Sequence, residues 1–345
     1  MTFLTVILPA YNTERYIDES ILSIVRQSFG DFELLAIDDG STDQTLEILR
    51  LYSVRDPRIK VVAHDNWGMG HSLNHAIGLA NGKWIARLDA DDLMEPNRLE
   101  RQIAFVRENP DLVVTSCLAT FIDPQGRILG YSQPAMTSPK SVQDALEDGL
   151  VGGIFHPGVL MRRDAVLKAG GYRPQFWPAE DVDLWTRIAE AGGEILVQPE
   201  HLIRYRIHGN SGSFLKAREM SELTGWIRAC SLSRRRGEPE PSREEYRLSR
   251  ANQPVFQRVN ALRKDLAFSL YRRATLAYSR GRRVNAGLLL LVSGLLGSKD
   301  VRRQVRHRVT LLVASLFGRS AAGSPLDHVS CQVTPRRSCE QRNND

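Results

Sequence analysis

Cysteine is scarce: four residues in 345, at positions 117, 230, 331 and 339, with no Cys-x-x-Cys pair among them. That argues against a disulfide framework or a cysteine-based zinc site and suits a reducing cytosol. No Gly-x-Gly-x-x-Gly follows the first apolar run and no Gly-x-x-x-x-Gly-Lys occurs. Both absences speak against a dehydrogenase or a P-loop NTPase. Aromatic residues make up 7% of the chain and interleave little with its basic ones, so no nucleic-acid partner is expected. Met1–Pro9 has no basic n-region and only a short apolar run, which reads as a first strand and not as a secretory signal. Leu288–Leu291 with Leu295 and Leu296 forms an aliphatic stretch too short to span a bilayer comfortably.

The composition, 42% hydrophobic and 25% charged, is that of an ordinary soluble protein. The length allows one large α/β domain with an appendage, or two domains. The net charge of +6 is unevenly spread. Between Arg258 and Arg319 there are 14 Lys/Arg against Asp265 and Asp300, a local +12, which leaves the remainder near −6. The acidic part reads as a catalytic body; the basic part invites anionic partners.

Strand and helix signals alternate through the first half. Apolar runs at Thr5–Leu8, Glu33–Ile37, Ile59–Ala63 and Lys83–Leu88 are separated by helical spacing over Glu14–Ser28, from Gln44 to about Val54, and over Gly70–Ala80. Ser41, three residues before Gln44, forms a capping-box pattern. The order predicts a mostly parallel sheet covered by helices on both faces, with ligands beyond the carboxyl ends of the strands. The polar residues fall there: Tyr11-Asn12, Asp38-Asp39 and Asp89–Asp92. A helix over Pro96–Asn109, a strand over Leu112–Ile122 and a loose, mobile segment over 131–150 follow. Then come a short strand at Gly158–Met161, a short helix at Asp164–Ala169 and an amphipathic helix over Asp181–Glu190.

Arg87-Leu88-Asp89-Ala90-Asp91-Asp92 hangs a carboxylate cluster on the end of the fourth strand. Strand alternation turns Asp89 and Asp91 to one side. Two converging carboxylates suit a hard divalent cation such as Mg²⁺ or Mn²⁺ that keeps positions open for phosphates. Glu180 and Asp181 open a helix, whose N-terminal amides favour an ionised acid that can serve as a general base. His208, in a glycine- and serine-rich segment after a strand-like run, is a candidate further metal ligand. His156 is not assigned to a metal.

Residues 5–12 (Thr-Val-Ile-Leu-Pro-Ala-Tyr-Asn), 37–43 (Ile-Asp-Asp-Gly-Ser-Thr-Asp), Asn66 with Gly68, and 82–92 resemble family 2 glycosyltransferases. Residues 179–187 and 205–211 are similar to that family's later motifs, so the resemblance covers roughly residues 3–213. It implies a GT-A fold, a nucleotide-diphosphate sugar donor, inversion at the anomeric carbon, and a Mg²⁺ or Mn²⁺ ion. Carried onto this chain, Pro9, Tyr11, Glu14 and Asp39 line the nucleoside pocket, with Asp39 accepting from the base, and Gly68 belongs to the same donor site. Asp89 faces the ribose or the metal, and Asp91 holds the cation on the diphosphate. His208 completes the metal or diphosphate site, Arg87 offsets charge on the departing diphosphate, and Asp181, beside Glu180, is the base. Val182 stands where an aromatic residue is frequent in the family, which bears on acceptor preference.

The expected organisation is a GT-A domain over 1–214, a connection over 215–254, a basic helical extension over 255–320 and a disordered tail over 321–345. Helices are expected at 255–280 and 300–317, with a charged linker at 233–250. The extension suits an anionic membrane surface or packs on the catalytic body. The expected setting is the cytoplasm, at the inner face of the membrane if the acceptor is lipid-linked, in synthesis of a surface polysaccharide or glycolipid. Rival readings are a catalytically silent nucleotide-sugar-binding or membrane-scaffold module and a sugar nucleotidyltransferase. The latter calls for a glycine-rich basic loop after the first strand, which Pro9-Ala10-Tyr11-Asn12 is not.

Overall fold

The computed structural model describes residues 3–209 and 216–297, with Arg302 and Val305. Its first two strands, β1 (Leu4–Ala10) and β2 (Phe32–Asp39), are buried at every position, as strands covered on both faces must be. β1 pairs in parallel with β2 and with β4 (Trp84–Arg87), and β2 in parallel with β3 (Ile59–His64). Beyond β4 the sheet is mixed. β8 (Leu160–Arg162) is antiparallel to both β4 and β6 (Leu112–Ile122), and β9 (Glu194–Arg206) runs parallel to β6. β5 (Leu93–Met94) is antiparallel to β9, and β7 (Ile128–Tyr131) forms a hairpin on β6. The order is β3-β2-β1-β4-β8-β6-β9-β5. The parallel part places the carboxyl ends of β1, β2 and β4 on one rim.

Alternation along β1 feeds two cores. Leu4, Val6 and Leu8 meet α1 (Ile17–Val25) and α4 (Arg98–Glu108) through Ile17, Ile21, Leu99 and Ile103. Ile7 faces the opposite layer with Leu73 and Ile77 of α3 (Met69–Leu79) and Leu184, Trp185 and Ile188 of α7 (Glu180–Glu190). A third helix on the first face, α2 (Thr45–Arg55), contributes Leu49. Both apolar layers thus fix the height of the rim.

Glu33 ties the parallel half together. Its carboxylate accepts from Thr5 Oγ1 (2.7 Å), from the Asn81 amide N–H (2.7 Å) and from Lys60 Nζ (2.8 Å). Burial raises its pKa, but the bonds from Lys60, Asn81 and Thr5 outweigh it and hold the group at about 2 instead of 4.5. A depressed acid stabilises the fold fully above its unfolded pKa and loses that contribution as pH falls toward the folded value. Glu33→Gln is therefore expected to cost about 3 kcal/mol at pH 7 and about 1 kcal/mol at pH 3, read from urea unfolding. A penalty that does not shrink on acidification would refute the ion-pair account.

Several elements differ from expectation for local reasons. No capping box forms at Ser41: its Oγ accepts from the Asn12 amide (3.0 Å), and Gln44 donates its amide to Glu14 Oε2 (3.0 Å). The residues that would start α2 are used to bind the loop after β1. The segment 131–150 is not loose, because it holds helix α5 (Pro139–Glu147), opened by a reciprocal cap between Ser138 and Ser141 with proline at the first turn. Residues 233–250 include the end of α8 (Ala217–Arg235) and most of α9 (Arg243–Ala251), the latter capped by Ser242 and Glu245. Leu223, Trp226, Ile227 and Cys230 of α8 pack on Phe176 and Ala179 next to the start of α7. Beyond them α10 (Val255–Ser279) and α11 (Arg283–Leu296) form a hairpin, closed by Ala267, Ala274 and Leu290 and by a bond from Ser293 Oγ to the Ala267 carbonyl (2.7 Å). The helix expected over 300–317 (but for Arg302 and Val305), the tail after 320 and the 210–213 segment lie outside the described residues. No described helix is long and apolar enough to cross a membrane. Cys117 and Cys230 are free and buried.

Candidate active site

A cleft of about 890 Å³ opens at the rim where β1 and β4 end. Pro9, Tyr11, Glu14, Arg87, Asp89, Asp91, Glu180, Asp181 and His208 all line it. Asp39 and Gly68 are not among its lining residues. Asp39 accepts from the backbone N–H groups of Trp67 (2.8 Å) and Gly68 (3.1 Å), and so pins the loop between β3 and α3. Gly40 permits that approach: it has φ +76°, and a Cβ there would lie 2.7 Å from the Asn66 nitrogen. Glu14, on the cleft wall, accepts the Gln44 amide while its own N–H donates to Asp43 (3.1 Å). The loops after β1 and β2 are thus bound into one wall.

The acidic cluster is a turn, not a strand continuation. β4 ends at Arg87, and the Asp92 N–H bonds the Asp89 carbonyl (3.0 Å). This curl gathers three carboxylates where strand alternation predicts two: oxygens of Asp89, Asp91 and Asp92 lie within 4.8 Å of one another. Burial, then Asp91, push the Asp92 carboxyl well above its ordinary range, and burial also raises Asp89 against the pull of Arg87. Asp92 Oδ2 is buried without a partner among the described residues. Hard oxygen donors, crowded like charge and an unsatisfied oxygen together fit a divalent cation.

Two arginines and a histidine organise this turn. Arg87, 3% exposed, pairs with Asp89 through Nη2, while its Nε and Nη1 have no partner among the described residues. A buried guanidinium with unspent donors on a cleft wall is prepared for an anion. Arg206, which motif reading missed, donates Nε to the Asp91 carbonyl (2.8 Å) and its amide to Asp92 Oδ1 (2.7 Å). Its guanidinium also reaches Glu19 (2.7 Å) and covers the Tyr16 ring (4.7 Å). The signal was its place two residues before His208, on the same side of an extended chain. His208 Nε2 lies 2.8 Å from Asp91 Oδ2, the position of a partner that orients a ligand carboxylate.

On the facing wall α7 begins with Glu180 and Asp181. Asp181 accepts from the Val182 amide (2.8 Å), an N-terminal helix donor. The expected depression of its pKa is not what the structure shows: burial outweighs the amide and raises Asp181 to about 6. Burial, then Asp181, raise Glu180 to about 8, and Glu180 Oε2 is buried without a partner among the described residues. At neutral pH the pair therefore carries about one charge between its two carboxyls. Behind it His156, held neutral by burial and by Arg87, shares a 2.7 Å bond with the Tyr172 hydroxyl. Arg98 supports this wall from below, donating to the carbonyls of Pro157 (2.8 Å) and Val159 (3.1 Å).

The family model for glycosyl transferase family 2 matches residues 5–170. A Haemophilus influenzae protein described as an uncharacterized glycosyltransferase is 33% identical over 236 residues, covering 66% of this chain and 73% of that one. This chain belongs to glycosyl transferase family 2. A Bacillus subtilis relative, the putative teichuronic acid biosynthesis glycosyltransferase TuaG, is 30% identical over 60% of this chain and 80% of its own. The fold of this glycosyltransferase matches that of the mannosyltransferase PcManGT from Pyrobaculum calidifontis, solved with GDP-Man and Mn²⁺. The TM-score is 0.54 at 20% identity, covering 92% of this chain and 86% of that one. The fold is thus GT-A, as the sequence resemblance implied, with a mixed second half and added C-terminal helices.

Proposed function

We propose that this glycosyltransferase moves a sugar, with inversion, from a nucleotide-diphosphate sugar to an acceptor hydroxyl on a saccharide or lipid-linked carrier. The observation that carries the reading is one cleft lined by a carboxylate trio, a guanidinium with unspent donors and a separate ionised acid. Pro9, Tyr11 and Glu14 take the nucleoside end, with Asp39 and Gly68 shaping the loop behind it. Asp89, Asp91 and Asp92 would hold a Mg²⁺ or Mn²⁺ ion, oriented by His208. When bound, that ion neutralises diphosphate charge. Arg87 donates to the departing diphosphate. Asp181 takes the proton from the acceptor hydroxyl as its oxygen bonds the anomeric carbon and the carbon–oxygen bond to the diphosphate breaks. One base and one displacement invert the centre, with no covalent enzyme intermediate. The catalytic groups of this reading fall within residues 1–214, and the helices beyond them add a wall.

The relation to TuaG supports a role in surface polysaccharide synthesis, and two free buried cysteines suit the cytoplasm. The test is a panel of nucleotide sugars, each with and without Mn²⁺, read by thermal stabilisation and by release of nucleoside diphosphate. One donor is expected to raise the melting temperature by several degrees only when Mn²⁺ is present. No response to any donor with metal would overturn the enzymatic reading.

A further inference from the structure

Two features of the C-terminal hairpin are unused by that reaction scheme. The first is its outer surface. On α10, Val255, Val259, Leu262 and Leu266 recur at helical spacing, as do Val284, Leu288, Leu291 and Leu295 on α11. All eight are between 51 and 77% exposed. On α11 the stripe lies opposite Ala286, Leu290 and Ser293, which close the hairpin, and on α10 it lies about 100° around the helix from Ala267 and Ala274. Solvent-facing aliphatic rows on both helices are costly unless something covers them.

The second feature is on the inner side. Arg272 and Arg280 of the same hairpin line the catalytic cleft. The Arg280 guanidinium passes so close to Gly209 that a Cβ there would lie 2.6 Å from Nη2. Gly209 follows His208, which holds Asp91, so Arg280 stands on the metal side of the cleft. Arg272 lies eight residues earlier, about 12 Å along the helix. Its Nη2 is 3.8 Å from Met220 Sδ, and Met220 packs with Ala179 and Val182 around the catalytic acids. One helix therefore brings two cations to the cleft from its second half and carries a row of exposed aliphatic side chains on its first half.

Resting on the glycosyl-transfer reading, we infer that the acceptor is a lipid carrying a phosphate group. Arg272 and Arg280 bind that phosphate, and the aliphatic stripes seat the hairpin on the anionic membrane that holds its chain. Charge favours lipid over a second copy of the chain. Residues 255–283 contain eight Lys/Arg and one acid, Asp265, which is engaged by Ser221 (2.5 Å) and Arg250 (3.7 Å). Two such hairpins face to face would oppose like charges, whereas anionic headgroups complement them. From Val284 to Leu296 no residue is charged. That run is too short to span a bilayer and long enough to lie in its surface.

The full chain is tested in two arms. In the first, vesicles with one third phosphatidylglycerol float most of the protein, and pure phosphatidylcholine vesicles float little of it. The double variant Leu262→Glu, Leu288→Glu lowers the floated fraction at least tenfold while keeping the far-ultraviolet spectrum and melting temperature. Equal flotation of the variant, or a wild type that stays soluble or elutes as a dimer that does not float, overturns the membrane face. In the second arm, farnesyl phosphate adds a melting shift to that given by Mn²⁺ and the donor nucleoside diphosphate, and inorganic phosphate adds less. Arg280→Ala removes the farnesyl phosphate shift. No added shift in the wild type, an equal shift from inorganic phosphate, or its persistence in Arg280→Ala overturns the acceptor subsite. Loss of the nucleotide shift itself from Arg280→Ala would assign the arginine to the donor instead. Failure of the wild type to respond to nucleotide with metal would count against glycosyl transfer, separately from either arm.

Discussion

Asp181→Asn is expected to lower the rate of transfer about a thousandfold, the scale of a positioned general base. Donor affinity and melting temperature should stay near their wild-type values. Asparagine keeps the shape of the side chain and can still face the Val182 amide, so the fold loses little. What it loses is the ability to take a proton. The pH profile sharpens the assignment. Asp181 is raised to about 6 by burial, so it is ionised above that pH and protonated below it. The rate should therefore climb with pH through about 6 and level off near neutrality. Glu180, raised to about 8 by burial and by Asp181, is protonated over most of that range. Glu180→Gln imitates the protonated acid. It should leave the rate at pH 7 within about tenfold and keep the acid limb. Any alkaline limb near pH 8 should vanish, because no second carboxyl is left there to ionise. A folded Asp181→Asn enzyme with near-normal turnover would remove Asp181 from the base role. An acid limb that persisted in that variant would assign the titration to another group.

Much of this site could be read from residue order, because its parts are local. Asp89 and Asp91 share one turn, Glu180 and Asp181 one helix start, and the strand–helix alternation through Arg87 follows hydrophobic periodicity. What escaped depends on distant partners. Asp92 joins the cluster because the chain curls after Arg87 and because the Arg206 amide, on a strand over a hundred residues later, holds its carboxylate. Asp39, expected at the nucleoside, also accepts from amides of the loop after β3, contacts that no motif foretold and that the close approach at Gly40 permits. The direction of β8 and β6 follows from connections whose length does not specify a hand. Helix α5 was legible in principle: Ser138-Pro139-Lys140-Ser141 is a cap with proline at the first turn, overshadowed by the proline, serine and glycine around it. Arg272 and Arg280 belong to no motif, and only the docking of the hairpin brings them to the cleft.

Asp91→Ala should act in opposite directions on binding and on stability, which separates a metal site from a structural cluster. With metal and nucleoside diphosphate present, the loss of one of three gathered oxygens, and of the ligand that His208 orients, should weaken metal-dependent binding at least about a hundredfold. Transfer should fall below detection. Without metal, the same change removes a carboxylate packed within 4.8 Å of two others. Like charges so close are repulsive in a buried setting. The loss of the His208 contact on Asp91 works the other way (2.8 Å), but His208 also packs on the Tyr16 ring at 5.1 Å and keeps that support. The metal-free variant is therefore expected to be more stable than wild type by about 1 kcal/mol, the trade seen where function demands crowded charge. Calorimetric titration of Mn²⁺ with the nucleoside diphosphate reads the first effect, and urea unfolding in a chelator reads the second. If Asp91 were only part of a structural network, its removal would destabilise the metal-free protein and leave Mn²⁺ affinity intact. That pair of results would refute the site.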